Sequence, residues 1–461
     1  MKGVLTTFRQ EEGPVGFIGT SFPKLESWLR EFSIELFTQI LEPRWVTEVL
    51  SQHQRQGQRV RKLPSVLMVW LSIGLGLFRS LSISNVLARL GTVLGSGSLW
   101  DGAATPSSSA VAEARDRVGF GPLRTLFEKL RDHLLSLHRQ EMLWKGMPLL
   151  ALDGTTFKAP DSPENRRRFG LPPSVRGGRA GFPLLRSVLL VSPLLRFVLG
   201  ARFGPYRRGE LPMALSLLSE IPSGSLLVMD RAYAAWRFLI PLREHGHHFL
   251  VRLPKHYNAK RRWALGPGDA LVEAKMHHAV THAHPEFPRK VLVRQLHVRI
   301  RGVEMRYWTS LLDPKAFPAV DLVRLYAQRW EEELTIDELK THQAGLTTVN
   351  RPVLFRSQTT RRVLQEAWGF LIAYNLVRAL MAQAARQRSL PAIAMSFVDS
   401  LERIRQASLL MAAARTPDLP RIYADLFEAL GRCELPDRRG RNNPRVVVIK
   451  MSSYAKKWKS A

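Results

Sequence analysis

Residues 148–160 read PLLALDGTTFKAP, and residues 225–230 read SLLVMD. Each is a short apolar run closed by an aspartate, Asp153 or Asp230. A continuous apolar run of this length suits a strand buried on both faces, the usual setting of parallel strands. Between and after these runs the pattern alternates. SVLLVSPLLRFVLGARF (187–203) is strand-like, LPMALSLLSEI (211–221) helical, AAWRFLIPLREHG (234–246) helical and HHFLVRLP (247–254) a strand again. Strand and helix in alternation predict an α/β core with a partly parallel sheet.

The rest of the chain arranges itself around this core. Residues 1–30 form an irregular leader, and 31–145 carry helical periodicity with many arginines, which predicts a helical N-terminal domain that is either a DNA-binding domain or a helical scaffold with a solvated basic face. Ser and Thr in TPSSSAVAEARDRVG (105–119) are N-cap candidates for one of its helices. The core occupies 146–253, and a His-, Lys- and Arg-rich stretch with strand-like pieces (254–312) reads as a β-rich insertion. The core resumes over 313–385, ending in a long amphipathic helix at 361–387. A helical region with a basic tail, 386–461, follows.

Composition restricts the partners. Of 461 residues, 68 are Lys or Arg and 39 Asp or Glu, a formal charge of +29. Such an excess repels itself unless a polyanion is bound, and nucleic acid leads over an anionic membrane surface or a ribosome. The single cysteine, Cys433, excludes an internal disulfide and a Cys-based metal cluster, and fits a reducing cytoplasm. No signal peptide is evident. The apolar stretch 63–78 is short for a membrane span of about 20 residues and predicts a buried helix instead. Clustered histidines at 247–248 and 277–284 lack the close two-His-plus-acid arrangement of a zinc site, and read as a charged surface of the insertion.

An aspartate after a strand is commonly a turn former or helix cap. Two in the same setting, at the carboxyl ends of strands where α/β sites form, point to a metal site. A third acid comes from YAQRWEEELTIDELK, 326–340. At about 100° per residue, Tyr326, Arg329, Glu333 and Lys340 fall within an arc of about 60°. Glu331, Glu332 and Glu338 lie away from that arc, and Glu331 and Glu338 are expected to face solvent. A helix laced by i,i+4 pairs such as Arg329–Glu333 is the plainer alternative, but it would not bring Tyr326 and Lys340 to the same side. Three carboxylates make a hard-oxygen site suited to Mg²⁺, with Mn²⁺ as a substitute. Two such ions about 4 Å apart act on a phosphodiester, with Arg329 and Lys340 on the flanking phosphates.

The spacing of Tyr326, Arg329, Glu333 and Lys340, with Asp153 in LDGTTF and Asp230 in MDRAY, resembles the DDE transposases of bacterial insertion sequences, family four. That family carries a Tyr-Arg-Glu-Lys signature at these intervals. The likeness extends over roughly residues 35–385 and includes TPSSSAVAEARDRVG and AYNLVR. Ala232 stands where many relatives have Gly, a mild departure. The resemblance implies an RNase H-like catalytic core with a β-rich insertion, using Asp153, Asp230 and Glu333 as catalytic residues and metal ligands for two Mg²⁺ ions. It implies cut-and-paste transposition by a homodimer that synapses the terminal inverted repeats and joins them to target double-stranded DNA, with no membrane involved. Some relatives stack a flipped base on a Trp of the insertion, for which Trp308 is the candidate and Trp236 and Trp330 the alternatives. Tyr326, Arg329, Lys340 and Arg231 are the expected DNA contacts near the site. Arg59, Arg61, Lys62, Arg115 and Arg117 are the expected phosphate contacts of the N-terminal helices. A nuclease of the same fold without strand transfer, or a DNA-binding protein with structural acids, are the competing readings.

Overall fold

The structure, a computed structural model, describes residues 34–37, 40–56, 63–92, 106–172, 182–254, 257, 259–300, 302–343 and 355–435. The leader, the basic tail, and Arg59, Arg61 and Lys62 lie outside them.

After a one-turn helix Ile34–Phe37 come α1 Pro43–Gln52, α2 Ser65–Leu77, α3 Ile83–Thr92, α4 Ser108–Val118 and α5 Gly121–Leu137. Ser107 caps α4, its hydroxyl accepting from the Ala110 N–H at 3.2 Å. Helix α2 is the stretch expected to be buried, and every residue from Val66 to Leu77 is. A helix apolar all round has no solvent face to offer. No helix among the described residues is long and apolar enough to cross a membrane.

The core then runs β1 Met147–Lys158, α6 Pro163–Phe169, β2 Leu184–Val191, β3 Val198–Pro205, α7 Glu210–Leu215, β4 Leu226–Met229, α8 Trp236–Glu244 and β5 His248–Arg252. The apolar run 187–203 is thus a hairpin, turned at Ser192–Phe197 with Arg196 at φ +58°. The insertion contributes β6 Lys260–Gly266, β7 Asp269–Lys275, α9 His278–Ala283, β8 Lys290–Ile300 and β9 Val303–Thr309. All nine strands join one sheet in the order β3-β2-β1-β4-β5-β9-β8-β7-β6, and the two-residue strand Leu143–Trp144 pairs with β1 outside this path. The neighbours β1, β4 and β5 are parallel, and the rest of the named pairs antiparallel. The insertion therefore extends the core sheet through β9 against β5.

After the insertion come α10 Ala319–Ala327, α11 Trp330–Asp337, a π-helical stretch Glu338–Gln343, α12 Thr360–Gln387, α13 Phe397–Ala413 and α14 Leu419–Gly431. The two sheet faces bury different cores. Leu149, Leu226, Val228, Leu250 and Tyr307 meet Leu322 and Leu325 of α10 on one side. Leu150, Leu152, Leu227, Met229, Phe249, Val251 and Trp308 belong to the larger cluster that includes α2 and α12.

Helix α12 crosses α2 at close range, which only glycine permits. A Cβ on Gly76 would lie 2.8 Å from the Phe370 Cα, and one on Gly369 would overlap the Ser72 carbonyl. Backbone cannot yield as a side-chain tip can. Gly369→Ala is expected to lower stability by about 1–3 kcal/mol, read from the urea midpoint. Gly266→Ala, where a Cβ meets nothing within 4 Å, is the matched control and should change it little.

Candidate active site

The register places the two aspartates side by side. Leu152 of β1 pairs with Met229 of the parallel β4, so Asp153 and Asp230 are the next residues on neighbouring strands. Parallel strands lie about 4.8 Å apart. Side chains alternate faces, so Asp153 shares that of Leu149, and Asp230 that of Leu226 and Val228, the face covered by α10. One expectation needs correction. Strand β1 does not end at Asp153 but runs on to Lys158 along β2; it is β4 that stops, leaving the edge open there. Asp230 caps the turn that follows, its Oδ1 accepting from the Ala232 N–H at 2.8 Å. Burial pushes the Asp153 carboxyl up to about 6; the Gly154 N–H, donating at 2.7 Å, opposes the shift, and the charges of Asp230 and Glu210 add to it.

The signature segment is not one regular helix. The N–H groups of Gln328, Arg329, Glu331 and Glu332 each bond the carbonyl three residues back, and from Glu338 the helix widens to π. The two neighbouring glutamates, Glu332 and Glu333, therefore sit in different surroundings from those a regular helix would give. Glu333 is part-exposed and accepts from Arg329 at 2.6 Å, the i,i+4 pair. Glu332 is fully buried, and neither carboxylate oxygen has a hydrogen-bond partner. Burial holds its carboxyl well above the usual range, and Asp153 and Asp230 push it further while Arg329 opposes. Glu331 and Glu338 do not face solvent as expected. Glu331 accepts from Arg196, and buried Glu338 accepts from Arg196, Arg378 and the Tyr374 hydroxyl.

The Tyr326 ring lies 4.6 Å from that of Tyr307, with the Arg329 guanidinium 5.8 Å away over its face. Half-buried Lys340 is lowered below the usual lysine range by burial; Asp153 opposes and Lys158 reinforces the shift, which puts both near its ammonium.

Two further groups belong to the cluster and escaped sequence reasoning. Glu210, opening α7, packs so closely on Gly154 that a Cβ there would overlap its carboxylate; Arg186 of β2 donates to it. Tyr233 is buried with its hydroxyl unpartnered, and burial, Asp153, Glu210 and Glu332 all raise it. The only sequence signal for Glu210 was an acid at the end of the basic run RRGE; Tyr233 offered only its place three residues after Asp230.

No three His, Cys, Asp or Glu side chains among the described residues stand close enough to hold one ion together. The donor chemistry nonetheless fits a hard divalent cation. Asp153 and Glu332 are both raised by burial and by neighbouring carboxylates, and a buried carboxylate without hydrogen bonds such as Glu332 is costly unless a positive charge is supplied.

Residues 31–128 match the family model described as insertion element 4 transposase N-terminal, and 144–376 match the transposase DDE domain. The chain is 30% identical over 421 residues to the transposase InsG for insertion sequence element IS4 of Escherichia coli (strain K12), covering 90% of this chain and 92% of that one. The chain belongs to the insertion element 4 family of DDE transposases. A second relative, the putative transposase InsZ of the same organism, is 28% identical over 214 residues, 46% of this chain and 69% of that. Among solved structures, a piggyBac transposase synaptic complex with hairpin DNA matches 91% of this chain and 87% of its own at TM-score 0.37 and 12% identity. That likeness is too loose to fix even the fold.

The remaining expected contacts of the transposase divide sharply. Trp308 is 1% exposed, stacks on Trp236 at 5.2 Å and donates to Gln295 at 3.1 Å, on the sheet face opposite the aspartates. Buried there it has no free ring face for a flipped base, and its role is that of a core residue. Trp236 shares that burial, whereas Trp330 is exposed on α11. Arg115 is no phosphate contact either. It is 2% exposed and bonds Gln365, Ser357 and the Arg362 carbonyl. Arg117 is part-buried against the Leu63 carbonyl at 3.4 Å, and Arg231 is exposed directly beside Asp230.

Proposed function

We propose that the transposase cleaves and joins DNA at one centre built on Asp153, Asp230 and a glutamate of the signature segment, in an RNase H-like core. The observation that carries this is the register: two aspartates adjacent on parallel strands, on one face, under the segment holding Tyr326, Arg329 and Lys340. The order β3-β2-β1-β4-β5, with β1, β4 and β5 parallel and β2 and β3 antiparallel, supports the RNase H-like reading.

Asp153, Asp230 and the glutamate would hold Mg²⁺, with Mn²⁺ as a substitute. Two bound ions supply activation of the attacking oxygen and stabilisation of the leaving one. Everything else falls to the chain. Lys340 and Arg329 neutralise phosphates beside the scissile bond, and Tyr326, fixed against Tyr307, sets the angle of Arg329. The sheet edge holds the aspartates at fixed spacing, so that positioning rather than covalent chemistry lowers the barrier. The substrate is double-stranded DNA, its element ends synapsed by a homodimer and joined to a target in the bacterial cytoplasm.

The third acid has two readings. The signature spacing assigns it to Glu333, which must leave Arg329 to reach the aspartates. The burial of Glu332 and its coupling to Asp153 and Asp230 favour Glu332. Glu332→Gln and Glu333→Gln, assayed for cleavage of end DNA, decide between them. The variant lacking the true ligand loses at least about a hundredfold, the other no more than about tenfold. Full activity in both would sink the three-carboxylate site.

A further inference from the structure

Away from the acids, the transposase has a cleft of about 400 Å³ walled by Arg166, Arg167, Arg168, Phe169 and Arg207. Its walls come from two separate segments, the last turn of α6 and the turn after β3. The Tyr206 N–H donates to the Phe169 carbonyl at 2.7 Å, and the Phe169 ring is buried, so the two walls are locked together. Arg166 pairs with Asp161. Arg167, Arg168 and Arg207 are exposed, and no carboxylate pairs with them among the described residues. A helix C-terminus favours cations, which accounts for arginines in α6. It does not account for Arg207, which a different segment brings to the same cleft.

A chain of contacts ties one wall of the cleft to the strand that carries Asp153. The Tyr206 carbonyl accepts from Arg186 at 2.9 Å, and Arg186 pairs with Glu210, the residue packed on Gly154 beside Asp153.

We propose that this cleft seats the backbone of target DNA during strand transfer. The lining offers guanidinium groups and apolar surface, but no Asn, Gln, Ser or Thr side chain to read base edges. Phosphate contacts position a duplex without selecting its sequence. That suits the target, whose sequence is not the element's own.

The test uses the full-length Arg167→Ala/Arg207→Ala variant, with the repeats flanking the transposase's own gene as end DNA and an unrelated plasmid as target. The expected result is end cleavage within about twofold of wild type and strand transfer reduced roughly tenfold. The slope of log target affinity against log salt should become shallower by about 2. Arg167→Lys/Arg207→Lys keeps the charge and should restore most of the transfer. Equal loss of end binding and transfer would assign the cleft to the element end and overturn the proposal. So would unchanged transfer and slope, or a Lys variant as impaired as the Ala variant.

Discussion

Asp153→Asn is expected to reduce both end cleavage and strand transfer at least about a thousandfold, while binding to end DNA stays within about threefold. The carboxylate sits where β4 stops beside β1, so in the proposed centre its loss would remove a ligand from both chemical steps at once. Losing such a ligand is worth about 4 kcal/mol of barrier, hence the thousandfold. Asp230→Asn, one strand over, should match it. A pH signature accompanies the loss. The folded Asp153 carboxyl titrates at about 6 against 3.8 for the free group, so the folded metal-free protein keeps a proton that the unfolded chain gives up. Stability from this group is full below about pH 4 and lost as pH rises through 6, by up to about 3 kcal/mol. Urea midpoints at pH 4.5 and 6.5 in chelator should show that decline in wild type and a smaller one in Asp153→Asn. Equal activity of wild type and Asp153→Asn would remove the residue from the site.

Much of this site was legible because the signals were local. A four- or five-residue apolar run ending in Asp can be read as a parallel strand without knowing its neighbours, and both runs were. What failed was whatever depended on a distant partner or on exact helical rotation. At a uniform 100° per residue Glu332 falls outside the arc of Tyr326. Four residues bonded at i−3 turn about 120° each, adding roughly 80° by Glu332 and carrying it into that arc. The same drift carries Glu333 past it. Trp308 and Tyr307 are neighbours on opposite faces of β9, and only the pairing with β5 says which one meets the aspartates' side. Arg115 looked like a phosphate ligand because Gln365 and Glu366, its burial partners, come 250 residues later in the fold. A basic protein invites every arginine to be read as a DNA contact, yet the buried ones hold helices together.

Glu338 is where that lesson has the largest energetic consequence. It was expected at the surface, but it sits 5% exposed between Arg378, Arg196 and the Tyr374 hydroxyl. Removing the carboxylate leaves two guanidinium groups buried, one of them fully, with Glu331 the carboxylate that still pairs with Arg196 among the described residues. Uncompensated buried charge of this kind costs about 3–5 kcal/mol, so Glu338→Ala should fall far in urea midpoint. Replacing both members, as Glu338→Leu with Arg378→Met, removes the stranded charge as well as its partner and should recover most of the loss. The network also fixes function. Glu338 begins the π-helical stretch that carries Lys340, and Gln343 at its end donates to the Gly76 and Phe370 carbonyls at 3.2 and 3.0 Å. With Glu338 gone, Lys340 loses its anchored base on α12. Cleavage should then fall at temperatures where circular dichroism still reports a folded chain. A Glu338→Ala protein within about 1 kcal/mol of wild type and fully active would show that the buried network neither stabilises the signature segment nor positions Lys340.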